Sequence, residues 1–337
     1  MPRQKPADKN TDARRFKSGG AGIPALILAS VTILILIVTS VLYYRQNKSA
    51  PNISSGPDGS FAFYDDLGYL IGLPREPERV VSLMGSYSDL WLLAGGALCG
   101  VTEDAVSERG LSLDAGVSVI GSVHNPNIEL IVDLSPELVL LSADLGAHKN
   151  LRETLTQAGL ACAYFKEDSV DDYLRMLDIF TSLTGRADLY EEYGVALKAR
   201  IDALLSRIPA GRAKPKVLLI RATTTAAKAL KDDHMTGIML ADLGATNIAS
   251  RYESLLEDLS LELILDEDPD FIFVVTTGDT DKSLAALQSG LMANPAWQGL
   301  SAARNGRFHV LPKELFHYKP NARWGESYEY LFEILYP

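Results

Sequence analysis

Five histidines stand in this sequence, and two of them occupy positions suited to meeting a bound group. His124 lies in GSVHNPN and His234 in KDDHMTG, each just ahead of a helical stretch. An imidazole is a common metal ligand, and two of them on facing walls can take both axial positions of a flat metal macrocycle. Met84, Gly85, Ser86 and Tyr87 follow a first apolar strand, and Arg221 ends the corresponding strand of a later segment. An arginine there suits a carboxylate through its paired N–H donors. A tyrosine there can stack on a ring or hydrogen-bond with its tip. His148 starts a helix, His309 lies in a strand, and His317, in LFHYKPN, approaches the rim at most.

Positioning such groups requires two walls, and the sequence contains a repeat of suitable size. Ile128–Ser142 reads IELIVDLSPELVLLS and Leu261–Val275 reads LELILDEDPDFIFVV, so Ile128 corresponds to Leu261 at an offset of 133 residues. That offset is about one small domain. Two lobes of one design are implied, with Glu129 and Glu262 as matching surface carboxylates. A cleft between two lobes is a usual place for a ligand.

Short apolar strands alternate with helices in both halves, which predicts parallel sheets covered on both faces. In the first half a hairpin over Phe61–Leu73 precedes strands at Val80–Leu83, Leu98–Thr102, Leu138–Ser142 and Ala161–Phe165. Helices are expected at Ser88–Ala94, with Ser88 as N-cap, at Ile128–Leu134 and at His148–Ala158. From Val170 to Ile208 the pattern is helical, with Gly185 and Gly194 as weak points. Asp188–Ile208 at about 1.5 Å per residue spans roughly 30 Å, enough to bridge two lobes. The second half repeats the order with strands at Lys216–Arg221, Phe271–Val275 and Phe308–Leu311. Its helices are expected at Thr236–Leu243, Leu261–Leu265, Ser283–Met292 and Gly325–Leu335.

Ile23–Tyr44 is almost wholly apolar and, as a helix, long enough to cross about 30 Å of hydrocarbon. The tail before it is rich in Arg and Lys, which puts the N-terminus in the cytoplasm and the main domain outside. The expected division is a cytoplasmic tail 1–22, an uncleaved anchor 23–44, a polar linker 45–60, a first lobe 61–168, a helical segment 169–212 and a second lobe 213–337. The net charge of −11 excludes a nucleic-acid binder, which needs a basic face. Cys99 and Cys162 both fall in segments read as buried strands, expected as free core thiols with a disulfide between them as the alternative. The sequence has no GxGxxG after a strand, no P-loop, no GxSxG and no HExxH, which leaves little for an enzyme built on two Rossmann-like lobes.

Four pieces in order carry a family resemblance: DDLGYLIGLPREPERVVSL, IGSVHNPNIELIVDLSPELVLLS, HMTGIMLADLGATNI and ANPAWQGLSAARNGRFHVLP. Over Phe61–Pro337 the chain resembles the substrate-binding proteins of iron-siderophore, haem and cobalamin ABC importers. The resemblance implies a class III periplasmic-binding-protein fold, with two Rossmann-like lobes joined by one long helix, and a binding protein rather than an enzyme. It implies partners in an ABC permease and its ATPase subunits, with Glu129 and Glu262 docking on basic residues of the permease. It also implies an iron-containing ligand, with haem ahead of siderophore and siderophore ahead of a corrinoid. In the haem-binding members that it is similar to, a methionine stands in the place of His124 and a histidine in that of His234. This chain departs at the first position, which would make a bis-histidine clamp. A bare-metal receptor would need about four converging ligands, which His124, His234, Asp232 and Asp233 supply poorly.

Overall fold

The computed structural model describes residues 52–337, except 253 and 258. The tail 1–22 and the anchor 23–44 therefore lie outside the described residues. Among the described residues no helix is long and apolar enough to cross a membrane.

The polar linker reading fails at its end. β1 (Ile53–Ser55) pairs antiparallel with β2 (Phe61–Tyr64), which pairs antiparallel with β3 (Leu70–Leu73). Ile53 decides this: it is buried with Phe63, Ile71 and Leu73, a burial that contributes about 2 kcal/mol. The first lobe is a five-stranded, all-parallel sheet in the order β10-β9-β4-β5-β6, from β4 (Val80–Ser82), β5 (Gly100–Val101), β6 (Ser118–Val119), β9 (Leu138–Ser142) and β10 (Cys162–Phe165). Between β6 and β9 a small antiparallel hairpin, β7 (Gly121–Ser122) and β8 (Asn125–Pro126), turns at Val123 and His124.

The helices of this lobe are α1 (Gly85–Leu93), α2 (Asp104–Ser107), α3 (Ile128–Asp133), α4 (Gly146–Asn150) and α5 (Arg152–Gln157). α1 begins three residues before the expected Ser88 cap. Met84 holds the N-cap place in extended conformation, and Ser88 Oγ instead donates to the Met84 carbonyl from inside the helix. Gly85 permits this start, because a Cβ there would lie 2.8 Å from the Ala105 backbone nitrogen.

α6 (Val170–Leu183) opens with a capping box of Ser169 and Asp172. Gly185 breaks it at φ +66°. α7 (Ala187–Tyr190) then continues through a π-helical turn, Glu191–Val195, into α8 (Ala196–Leu205). The π turn contains Gly194, where a Cβ would press on the Tyr190 ring at 3.1 Å. The continuous piece still spans about 28 Å. Tyr173 of α6 donates to the Tyr193 carbonyl at one end, and Arg200 makes an ion pair with Glu329 of the second lobe at the other.

The second lobe centres on β11 (Lys216–Ala222). β13 (Thr246–Asn247), β14 (Phe271–Thr276) and β15 (Phe308–Val310) extend the parallel sheet. β12 (Ala227–Ala229) was not foreseen; it folds back antiparallel on the end of β11. The helices are α9 (Met235–Asp242), α10 (Ser254–Glu257), α11 (Leu261–Glu267), α12 (Thr280–Ser289), α13 (Ser301–Arg304), α14 (Lys313–Phe316) and α15 (Trp324–Leu335).

The repeat persists in three dimensions. Asn127 caps α3 by accepting from Leu130 N–H, and Ser260, at the same offset, caps α11 by accepting from Leu263 N–H. Ile131 and Ile264 are both fully buried. Each unit then turns through a left-handed non-glycine residue, Ser135 at φ 46° and Asp268 at φ 41°, directly before a proline. A proline disfavours helical geometry in the residue before it, so both helices stop within one residue of the same place. Glu137 and Asp270 donate N–H groups to the Arg79 and Lys216 carbonyls, both at 2.8 Å, and lead into β9 and β14. One continuous core joins Val80 and Leu140 of the first sheet, Met176 and Leu197 of the bridge, and Val217 and Phe273 of the second.

Candidate functional site

A cavity of about 650 Å³ opens between the lobes at the carboxyl ends of their strands, where open α/β sheets bind ligands. Met84 reaches it from the loop after β4 and Ser86 from the first turn of α1. Ser86 is 5% exposed, yet its Oγ has no hydrogen-bond partner among the described residues. Next to it Asp104 accepts from Gly85 N–H at 2.7 Å and from Thr102 Oγ1 at 2.5 Å, so both of its oxygens are engaged. Glu103, Glu108 and Arg109 continue this wall.

His124 stands exposed at the hairpin turn and lines the cavity. Its loop is held from beneath by His148, which is fully buried. His148 Nδ1 accepts from Ser142 N–H at 2.9 Å, so Nε2 carries the proton and donates to the Val123 carbonyl at 2.8 Å. Burial lowers its pKa and keeps the ring neutral.

The second lobe contributes Thr277 and Gly278 after β14, and Lys313, His317, Tyr318 and Lys319 after β15. Lys313 donates to the Gly278 carbonyl. Burial, then Lys313, Arg221 and Lys319, lower the pKa of His317. Burial and the neighbouring Asp104 raise that of Glu108, while Lys313 opposes them from across the cleft.

The floor is tied across the lobes. Arg109 donates to the Lys319 carbonyl at 2.7 Å and to Asp89 at 2.5 Å, and Lys319 pairs with Asp168 at 2.6 Å. Asn321, at φ 52°, donates to the Ser86 carbonyl at 2.9 Å and to Asp89 at 2.7 Å.

Met84, Ser86 and His124 are thus brought together on one wall. His234 lies beside the cavity rather than among the residues lining it. It caps α9, its Nδ1 accepting from Thr236 N–H at 3.2 Å. Burial, then Lys319 and Arg221, push its pKa down to about 4. Arg221 lines a separate recess of about 290 Å³. Tyr87 is withdrawn altogether: it is 1% exposed, its hydroxyl donates to the Phe165 carbonyl at 2.7 Å, and its ring packs edge-on to Phe165. The helix that starts at Gly85 rather than Ser88 turns Tyr87 into the core.

His317, Lys313, Tyr318, Glu108 and Arg109 were not singled out by the sequence as ligand-facing. The rule that points to strand carboxyl ends, applied to β14 and β15 as it was to β11, would have found the first three. Among the described residues no three of His, Cys, Asp and Glu gather to hold a metal ion. Cys99 and Cys162 are free, and burial pushes the Cys162 thiol up to about 12.

Residues 80–315 match the family model described as periplasmic binding protein. The chain is 24% identical over 292 residues to the Fe(3+)-citrate-binding protein YfmC of Bacillus subtilis, covering 84% of this chain and 88% of that protein. Its fold is similar to an ABC transporter substrate-binding protein from Listeria monocytogenes, at a TM-score of 0.65 and 19% identity, over 78% of this chain and 99% of that one. It is equally similar to S. aureus IsdE complexed with heme, at a TM-score of 0.65 and 17% identity, over 77% and 99%.

Proposed function

This chain belongs to the periplasmic binding protein family, and from that premise we propose that it is the extracellular substrate-binding component of an ABC importer, holding an iron complex between its lobes and handing it to the permease. The interlobe cavity carries this reading. Its 650 Å³ is of the size that encloses a small ligand, and its walls come from strand ends of both sheets.

The lining bears on the cargo. Met84, Val123 and Leu145 are its large aliphatic side chains, while charged and hydroxyl groups make up most of the rest. A flat apolar macrocycle would leave the Ser86 and Thr277 hydroxyls, which have no partner among the described residues, unsatisfied at a cost of about 1–3 kcal/mol each. A ferric chelate rich in oxygen atoms would satisfy them. We place such a chelate first, reversing the order expected from sequence. Haem is the second reading, favoured by His124 standing exposed on a braced hairpin. On that reading His124 supplies one axial nitrogen, and His234 supplies the other only by giving up its cap on α9, because Nδ1 accepts from Thr236 N–H and Nε2 then carries the ring proton. A corrinoid comes third.

Glu129 and Glu262, exposed in the first turns of the equivalent helices α3 and α11, seat the loaded receptor on basic residues of the permease. ATP hydrolysis belongs to other subunits. The apolar run Ile23–Tyr44 tethers the receptor with its N-terminus in the cytoplasm, which raises its effective concentration at the permease. Extraction of the full chain from membranes by detergent but not by alkaline carbonate is the expected result for the tether; release by carbonate would refute it.

The deciding experiment titrates Asn52–Pro337 with ferric citrate, a neutral ferric trihydroxamate and ferric haem. Saturable quenching of tryptophan fluorescence by a chelate, without a specific Soret band for haem, fits the first reading. A six-coordinate low-spin Soret band lost in His124→Ala and in His234→Ala would make haem the cargo. No saturable response to any of the three would overturn both.

A further inference from the structure

We infer that the recess beside the main cavity is a subsite for an anionic, carboxylate-bearing arm of the cargo, reached over Thr277. The inference rests on reading the cleft as an iron-chelate site, and it adds a second compartment with its own chemistry.

The recess is lined by Arg221, Thr223, Ala226, Lys228 and Thr277. Arg221 on β11 and Lys228 on β12 are register partners. Their neighbours Ile220, Ala222 and Ala229 are buried while both cationic residues are exposed, so the alternation puts the two cations on one face. Directly opposed residues on antiparallel strands have Cβ atoms about 5 Å apart, and like charges so placed destabilise the pair. Among the described residues neither cation has a carboxylate at ion-pair distance. The sequence holds 43 acidic residues against 32 Lys and Arg, so acidic partners are plentiful in the chain. Among the described residues the fold nevertheless sets two cations face to face without one, and a bound anion would turn this repulsion into binding energy.

Thr277 connects the two spaces, since it lines both. Its N–H donates to the Ala222 carbonyl at 2.9 Å, which fixes the backbone, while its Oγ1 is buried with no partner. A buried hydroxyl without a partner is unfavourable, and an oxygen-rich limb passing from cavity to recess would supply the missing acceptor. The turn that carries the cations is also preset. Thr223 Oγ1 accepts from Ala226 N–H and donates to the Ala226 carbonyl, both at 3.0 Å. A guanidinium on a rigid hairpin matches a carboxylate through two parallel N–H donors, and the ammonium opposite adds a point charge.

The test compares ferric citrate, which carries free carboxylates, with a neutral ferric trihydroxamate, on the wild-type protein and on Arg221→Gln/Lys228→Gln. The expected result is a loss of about tenfold or more in ferric citrate affinity, with the trihydroxamate unchanged within about twofold. Ferric citrate binding that survives the double substitution, or an equal loss for both chelates, would overturn the subsite while leaving the cleft reading intact. If the wild-type protein binds neither chelate, the cleft reading fails and the recess is judged separately. Iron-free citrate should protect Lys228 from acetic anhydride, read by mass spectrometry, while Lys282 is acetylated equally with and without it. Equal acetylation of Lys228 in both samples would overturn the anion site itself.

Discussion

On the first lobe the cavity wall carries Glu103, Asp104 and Glu108 beside Arg109; on the second it carries Lys313 and Lys319, with Arg221 and Lys228 just beyond Thr277. The charges differ in sign, and they also differ in commitment. Asp104 is engaged by Gly85 and Thr102, Arg109 by Asp89 and the Lys319 carbonyl, and His148 by Ser142 and Val123. The side chains of Arg221 and Lys228 make no hydrogen bond or ion pair among the described residues. The first lobe is therefore a frame whose polar groups hold its own loops in place. The second holds Lys313 on the Gly278 carbonyl and Lys319 on Asp168, and leaves only Arg221 and Lys228 to read the charge of what enters. Two walls that descend from one repeated unit have divided the work between shape and recognition.

The largest effect is expected from breaking the frame. His148→Ala leaves Ser142 N–H and the Val123 carbonyl unpaired beneath the His124 hairpin and opens a cavity. Each orphaned group costs about 1–3 kcal/mol, so a loss of about 3 kcal/mol in unfolding free energy is expected by denaturant titration. A loss under about 1 kcal/mol would mean that water replaces the imidazole, and that the first wall is less rigid than its bonds imply.

The sequence held the frame more fully than the reader. Strands β4, β9, β11 and β14 were legible because each is a short apolar run between turn signals, and the bridge helix because its apolar spacing holds through Gly194. The repeat located α3 and α11, though their caps, Asn127 and Ser260, were not picked out in it. Tyr87 was misplaced because Ser88 is a plausible cap by type, whereas the actual start is set by the close approach of Gly85 to Ala105, a tertiary contact. β12 was missed because three residues, AKA, carry no strand pattern alone and pair only because the turn at Thr223 returns the chain. Lys313 and His317 were passed over because their loop, KELFHYKPN, shows its polarity without its destination. Where sequence spacing is local the reading succeeds; where a cleft gathers distant loops it gives way.

The next effect compares the lobes through their outer ends. Glu129→Ala and Glu262→Ala each remove one exposed carboxylate from equivalent helix starts. Ligand affinity of the purified protein should stay within about twofold, and unfolding free energy within about 0.5 kcal/mol. Uptake of the cargo by cells carrying the double variant should fall about tenfold or more, as for loss of buried ion pairs at an interface. If a single substitution abolishes uptake and the other leaves it unchanged, docking is one-sided and the symmetry of the repeat has no functional counterpart.

Exchanging wall charges should then give effects of opposite sign. Lys313→Gln removes a cation from the second wall and should weaken ferric citrate binding by about fivefold to tenfold. Glu108→Gln removes an anion that Lys313 faces and should tighten it by about twofold to threefold, since this group is largely exposed and screened. Both changes should shrink as salt is raised. Shifts in the same direction would mean that the two walls act on the ligand through shape alone.

The smallest effect lies where the two lobes meet. Glu167, of the first lobe, is fully buried; its Oε1 accepts from Trp324 Nε1 of the second at 3.3 Å, and its Oε2 has no partner. Burial pushes its pKa up to about 7, and Asp89 adds to the rise, against Lys319, the Trp324 bond and Arg109. The folded state thus favours the protonated carboxyl. Its contribution is fully present below the unfolded value of about 4.3 and is lost as pH rises through about 7. His148 and His234 act in the other direction: both are held neutral in the fold, so they cost stability as pH falls below about 6.5. Glu167→Gln keeps an acceptor for Trp324 and removes the titration. Between pH 6 and 8 the wild-type protein should lose about 1 kcal/mol relative to the variant, or roughly 2–4 °C in Tm, while the acid-side loss from the histidines stays the same in both. Parallel melting curves across that range would place the Glu167 titration outside it and leave the lobe junction insensitive to pH.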